Sequence, residues 1–388
     1  MPDGTNPETA RRLPPTARRG RGAVSNRTAR YETETREAID DGWDAGEIDD
    51  GRVATTVTDE ASRQIITRNH SPDLGFDRSI NPYRGCEHGC VYCFARPTHA
   101  FLGLSPGLDF ETRLFAKPDA PRLLRGELAR PSYRPRSIAI GTNTDPYQPV
   151  ESNRRIMRQI LEVLDEARHP VGIVTKGGLI MRDTDILGRM GRRGIARAAI
   201  SVTTLDRRLS RSMEPRASAP NRRLQAIRKL AAAGCPVGVM VAPVIPAVND
   251  HEIEAILEAS AKAGARFAAY AAIRLPLEVR ALFREWLETS RPGSERRVMR
   301  GIDELHGGRA VNLAFGERLT GKGTTAELIA RRFRTACARL GLQTDPEPLR
   351  IDLFRAPEPE DQPPDDLPLF RMAGPGGIPH GRIAAGNG

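Results

Sequence analysis

The chain has 388 residues, 39% of them hydrophobic, with five cysteines and a formal net charge of +10. That size suits one substantial domain with appendages or two small domains. No apolar run reaches the ~18 residues of a spanning helix, and the arginine-bearing N-terminus lacks the apolar stretch of a secretory signal.

The basic balance admits an anionic partner, nucleic acid among them. It also reflects composition. Of 59 basic residues only five are lysines, an arginine bias that runs through the whole chain and makes each lysine position worth inspecting.

Residues 1–50 read as a charged N-terminal arm, with seven arginines and no acid from Arg11 to Arg30, then nine acids against one arginine over 32–50. Neither stretch has apolar periodicity, which predicts a disordered or loosely attached segment, anion binding being the minority role for its basic block. Residues 51–77 read as a lead-in hairpin, because 53–67 alternate and carry the β-branched Val53, Thr55, Val57, Ile65 and Ile66.

From 78 to 290 short apolar runs recur near Ser79–Tyr83, Ser137–Gly141, Val171–Thr175, Ala198–Thr203, Val237–Val244 and Phe267–Ile273. Between most of them lie helical patterns. Ile156, Ile160, Leu161 and Leu164 share one face, as do Leu224, Ile227 and Leu230, and as do Ile253, Ile256 and Leu257 before Gly264. Alternating strands and helices imply right-handed parallel βα units. Six such units fall short of the ~250 residues of a complete eight-unit barrel, so the expected fold is α/β, an incomplete (β/α)6 TIM-type barrel. A doubly wound open sheet is the competing architecture. Either places the chemistry at the C-terminal ends of the strands. Residues 291–345 read as a C-terminal helical extension, with helices near 296–305 and 324–340, and 356–388 as a disordered Pro/Gly/Asp-rich tail. The segment Gly316 to Lys322 imitates a phosphate loop until Gly323 stands where Ser or Thr is required, so ATP binding is not expected.

The decisive segment is Asn81-Pro-Tyr-Arg-Gly-Cys86-Glu-His-Gly-Cys90-Val-Tyr-Cys93, just after the first strand. Three cysteines within eight residues suit metal ligation in a reducing, cytoplasmic setting better than a disulfide framework. Thiolates favour iron–sulfur clusters or zinc. An electron-transfer cluster normally takes four cysteines; three leave one iron open to a substrate, as a catalytic zinc keeps one position open. Gly85 and Gly89 let the loop fold tightly. A structural zinc with His88 as fourth ligand is the alternative, but Cys86-Glu-His88 is too closely spaced for common zinc fingers. Cys235 and Cys337 read as buried, idle thiols.

The C-x-x-x-C-x-x-C spacing with aromatic Tyr92 before the last cysteine resembles the signature of the radical S-adenosylmethionine (SAM) superfamily. The runs NPYRGCEHGCVYCFARP, GTNTDPYQPVE, TKGG, SVTTLD, MEPRASAPNRRL and VAPVIPAVND follow in order on successive βα units. They are similar to the spore photoproduct lyase-like group, most members of which have no assigned substrate. The resemblance implies a 4Fe-4S cluster on Cys86, Cys90 and Cys93, with SAM as cofactor or cosubstrate and an electron donor such as flavodoxin or ferredoxin. It implies SAM contacts from Asn143 and Thr144 after the second strand, from Lys176 to the SAM carboxylate, and from Ser201 to the ribose. Glu214 and Arg216 are read as polar lining, with Arg216 as a further cofactor contact, or alternatively as a surface ion pair. No catalytic side chain is assigned. Spore photoproduct lyase uses a cysteine near its second-strand SAM site as hydrogen donor, whereas this chain has Gly141, Thr142 and Asn143 there. Repair of the same thymine lesion is therefore not expected, and another nucleic-acid reaction stays open. The alternative function is a non-catalytic, metal-stabilised nucleic-acid-binding protein.

Overall fold

The computed structural model describes residues 18–33, 53–308 and 315–358, with the backbone of 11–12 and 39–40. Six parallel strands form its centre: β1 (Arg78–Ile80), β2 (Ile138–Ile140), β3 (Val171–Thr175), β4 (Ala196–Ser201), β5 (Val237–Val244) and β6 (Phe267–Ala272). They lie side by side in chain order, with the short strand Thr67–Arg68 antiparallel on the outer edge of β1. A doubly wound sheet needs strand order to reverse at a switch point. Here it never does, and the sheet is the partial (β/α)6 barrel.

Six helices form the outer layer: α1 (Ala120–Leu128), α2 (Ile156–Glu166), α3 (Thr184–Arg192), α4 (Pro220–Ala232), α5 (Ile253–Lys262) and α6 (Val279–Ser290). Each buries the stripe that its periodicity sets out, such as Ile156, Ile160, Leu161 and Leu164 of α2, against strand residues such as Ile138, Ile173, Ile200 and Val239. Pro220 opens α4, where its missing N–H costs no helical bond.

Two helices follow, α7 (Glu295–Leu305) and α8 (Thr324–Leu340). After α8 the backbone of Gln343 pairs with the free edge of β6, accepting from Ala268 N–H at 2.8 Å and donating to the Arg266 carbonyl at 3.0 Å. The chain then passes beneath the barrel, where Arg350 N–H donates to the Gly194 carbonyl and Arg355 N–H to that of Ala167. Beyond residue 358 the expected tail lies outside the described residues.

Two expectations need correction. The hairpin does not form. Thr56–Asp59 runs parallel to Arg113–Ala116, with Tyr83–Arg84 antiparallel on the other side, in a separate three-stranded sheet. The segment between the supposed hairpin arms finds backbone partners elsewhere, Glu60 N–H on the Ala116 carbonyl at 2.7 Å and Ile65 N–H on the Glu127 carboxylate at 2.5 Å. Nor is the described part of the basic arm loosely attached. Arg21, Ala23, Val24 and Ala29 are buried. Ser25 and Arg27 bond Glu285 on α6, at 2.7 Å and 2.5 Å. The backbone of Arg11–Arg12 also pairs antiparallel with Ile39–Asp40.

Candidate active site

The three cysteines sit on the loop that leaves β1, and four kinds of contact hold it. Gly85 and Gly89 adopt left-handed conformations, φ 75° and 66°, that a side chain would strain. Cys86 N–H donates to the Phe110 carbonyl at 2.9 Å. Gln148 grips the loop twice, accepting from Glu87 N–H at 2.8 Å and donating to the Gly85 carbonyl at 3.2 Å. Arg96, fully buried, donates to the carbonyls of Cys90 (2.9 Å), Pro106 (3.1 Å) and Gly107 (2.9 Å) and pairs with buried Glu111. Glu111 in turn accepts the N–H groups of Gly22 at 2.9 Å and Ala23 at 2.8 Å, so the basic arm is clasped to the back of the cysteine loop.

Cys86, Cys90 and Cys93 line one cavity of about 200 Å³ at the C-terminal ends of the strands, with His88, Asn143, Asp145, Lys176, Ser201 and Arg274. Burial raises all three thiols, Cys90 to about 12, so a metal must displace their protons when it binds. Among the described residues no three His, Cys, Asp or Glu side chains converge where a single ion could sit. Three thiols on the wall of one cavity are a donor set that suits an iron–sulfur cluster or zinc.

The predicted SAM contacts divide. Asn143, Lys176 and Ser201 reach the cavity wall. The Lys176 ammonium lies 5.8 Å from the centroid of the Tyr92 ring, and the Ser201 hydroxyl already donates to the Ala242 carbonyl at 3.0 Å. Thr144 is buried behind the wall with its hydroxyl on the Tyr83 carbonyl at 2.8 Å. Arg216, over a third exposed, pairs with Glu87 at 2.9 Å and does not line the cavity. Glu214 is no surface partner of Arg216. It is buried, paired with buried Arg223, and accepts from the hydroxyls of Tyr92 and Thr203. Burial opposes its ionisation, but Arg223, Lys176 and the two hydroxyls overcome that and lower its pKa.

Asp145 lies in the GTNTDPYQPVE run with Asn143 and Thr144 but is not among the expected SAM contacts. Its carboxylate accepts from the Thr175 hydroxyl (2.6 Å), Lys176 N–H (2.7 Å) and Tyr147 N–H (2.9 Å), with His88 Nδ1 at 3.3 Å. Burial alone would raise this group; His88 and the donated hydrogen bonds outweigh it and hold the pKa at about 2. Asp145 thereby ties the β2 and β3 ends to the cysteine loop. Two donors from the β3 end and His88 from the cysteine loop converging on one carboxylate is a pattern no sequence motif displays.

Residues 80–259 match the family described as the radical SAM superfamily. An uncharacterized protein of Mycobacterium tuberculosis is 38% identical over 221 residues, 56% of this chain and 65% of the relative, so the match spans just under two thirds of that protein. Another, from Methanocaldococcus jannaschii, is 25% identical over 173 residues, 45% of this chain and 62% of that one. Among solved structures, a spore photoproduct lyase mutant superposes with a TM-score of 0.54 at 16% identity, covering 74% of this chain and 81% of its own. A second lyase mutant, with bound AdoMet and dinucleoside spore photoproduct, gives 0.53 at 15% identity over 74% and 80%. The fold and the cysteine loop agree with these matches: residues 80–259 are similar to the radical SAM superfamily, whose members use SAM and an iron–sulfur cluster.

Proposed function

We propose that this chain is a radical SAM enzyme in which Cys86, Cys90 and Cys93 hold a 4Fe-4S cluster and the adjoining strand ends hold SAM. Such a cluster with bound SAM supplies one-electron cleavage of the carbon–sulfur bond, releasing methionine and a 5′-deoxyadenosyl radical that abstracts hydrogen from a substrate. The chain's own residues bind, orient and exclude water. Lys176 offers a compact cation for the SAM carboxylate. Asn143 and Ser201 offer hydrogen-bonding groups at neighbouring strand ends. Asp145 keeps the loops that carry them in register. The cysteine triad supplies the cavity's only thiols among the described residues, which leaves no separate cysteine to serve as hydrogen donor there.

The observation that carries this reading is the shared cavity: three thiols and Lys176 face one space at the mouth of a half-barrel. Anaerobic reconstitution with iron and sulfide tests it. The protein should turn brown and release 5′-deoxyadenosine from SAM on reduction. Cys86→Ala, Cys90→Ala and Cys93→Ala should each abolish release, and Cys235→Ala should not. A colourless protein binding zinc alone would support the metal-stabilised binding protein instead, and release that survives loss of a triad cysteine would overturn the ligand assignment.

A further inference from the structure

Lys176 is not the lone cation on the cavity wall. Arg274 lies two residues beyond the end of β6, and its guanidinium lies over the Phe94 ring, 4.9 Å from the centroid. Both residues line the cavity that holds the cysteines. Three other inward-facing arginines have carboxylates: Arg96 has Glu111, Arg223 has Glu214 and Arg182 has Glu151. Arg274 has no hydrogen-bonding or carboxylate partner among the described residues. The charges near it are Arg318 and Asp73, and those two pair with each other. Burial lowers the Arg274 pKa and Arg318 lowers it further, yet a guanidinium stays charged at neutral pH. A half-buried charge without a partner is costly, and a carboxylate or phosphate that accepts two parallel N–H bonds from it removes that cost.

The two cations are set apart on the cavity wall. Lys176 closes β3 and Arg274 follows β6, three strands on. At ~4.8 Å per strand that is roughly 14 Å along the sheet. The two cations also lie on different aromatic rings, Lys176 on Tyr92 and Arg274 on Phe94, which flank Cys93 in the chain. Phe94 is 45% exposed, an unusual state for a large aromatic beside a cavity.

We propose that Arg274 and Phe94 form the substrate subsite: the guanidinium takes an oxyanion of the substrate, carboxylate or phosphate, and Phe94 offers an apolar face to the group beside it. This rests on the radical SAM reading and narrows it to substrates that carry an anion within the cavity. The residues act by recognition, and neither takes part in electron transfer.

The test is a set of ¹⁹F NMR titrations of the full chain with SAM present, using 4-fluorophenyl phosphate, 4-fluorobenzoate and the neutral 4-fluorobenzyl alcohol. At least one anion should bind about tenfold tighter than the alcohol, and which one does so separates phosphate from carboxylate. Arg274→Gln should erase the preference for the anion, and Arg274→Lys should keep part of it. Arg122→Gln, at an exposed position on α1, should keep all of it. Phe94→Ala should weaken the three probes alike. Equal affinity for all three probes in the unmodified chain overturns the proposal, as does a preference that survives Arg274→Gln. A matching fall in SAM affinity in Arg274→Gln also overturns it, by assigning the guanidinium to the SAM carboxylate. The titrations read binding and not turnover, so a protein that binds the anion yet releases no 5′-deoxyadenosine refutes the radical reading separately.

Discussion

Glu111→Ala should unfasten the N-terminal arm and weaken the cysteine loop together. Glu111 is fully buried. It accepts two arm N–H groups and neutralises Arg96, which itself holds the carbonyl of Cys90. Removing one partner of a buried ion pair leaves the other charge uncompensated, at a cost of about 3–5 kcal/mol. Losing the two charge-assisted bonds to the arm adds at most ~6 kcal/mol, less if water reaches the freed N–H groups. Against a total stability of roughly 5–15 kcal/mol this is severe. Glu111→Gln keeps an acceptor oxygen but not the charge and should fall between. Urea unfolding of the metal-free chain, followed by circular dichroism, measures the loss. Trypsin cleavage after Arg18, Arg19, Arg21, Arg27 and Arg30 measures release of the arm. If Glu111→Ala costs under ~1 kcal/mol and the arm stays protected, the clasp does not exist in solution.

Lys176→Ala should weaken SAM binding by about ten- to a hundredfold, the range expected for one charged hydrogen bond; equilibrium dialysis with the reconstituted protein measures it, and unchanged affinity would remove Lys176 from the SAM site. His169 predicts a pH dependence of stability. Its Nε2 lies 2.8 Å from the Tyr133 hydroxyl and its Nδ1 3.0 Å from the Pro170 carbonyl, a network that assigns the proton to Nδ1. Burial depresses its pKa from 6.5 to about 4. The unfolded chain therefore takes up this proton first, so the contribution is whole above pH ~6.5 and is lost as pH falls towards ~4, about 3 kcal/mol in all. The urea midpoint of His169→Gln should vary less over that window than the midpoint of the unmodified chain, and identical profiles would refute the assignment.

The barrel was legible because period and spacing carry it. Apolar runs such as Val171–Thr175 and amphipathic stretches such as 156–166 have few other ways to bury themselves. The cysteine loop was legible because ligand chemistry fixes both residue type and spacing. What failed was partner choice. The alternation at 53–67 identified strand-forming residues but not their neighbour, which lies more than 50 positions away at Arg113–Ala116. Among its described residues the arm buries only Ala23, Val24 and Ala29 as apolar side chains, so its attachment leans on backbone N–H groups meeting a carboxylate at position 111, and hydropathy is silent on that. Thr144 and Asn143 were read together from one run, yet adjacent side chains at a strand end point different ways, and only Asn143 reaches the cavity. Arg274 belongs to no motif. It is conspicuous only once its neighbours prove to be paired with each other.

A half-barrel leaves two problems that a closed barrel does not have: two unpaired strand edges and a missing side wall. Thr67–Arg68 covers the edge of β1, and Gln343 covers part of β6. The wall is made by residues 315–322, the stretch that imitates a phosphate loop. The Leu319 carbonyl accepts from Ala272 N–H at 2.7 Å on the β6 side, while Gly316 N–H at 2.6 Å and Arg318 bind Asp73 on the β1 side. Lys322, the residue a phosphate loop would aim at its ligand, pairs instead with Glu317 at 3.1 Å. Leu319 reaches the cavity beside Arg274. With Lys322 N–H also on the Leu305 carbonyl at 2.9 Å, one wall of the cavity is a loop tied at three points, where strand pairing would have been continuous and stiffer. On the proposed reading, SAM would lie against β2–β4 and the substrate's anion against β6 and this loop, so the continuously paired strands would hold the cofactor and a loop would meet the substrate.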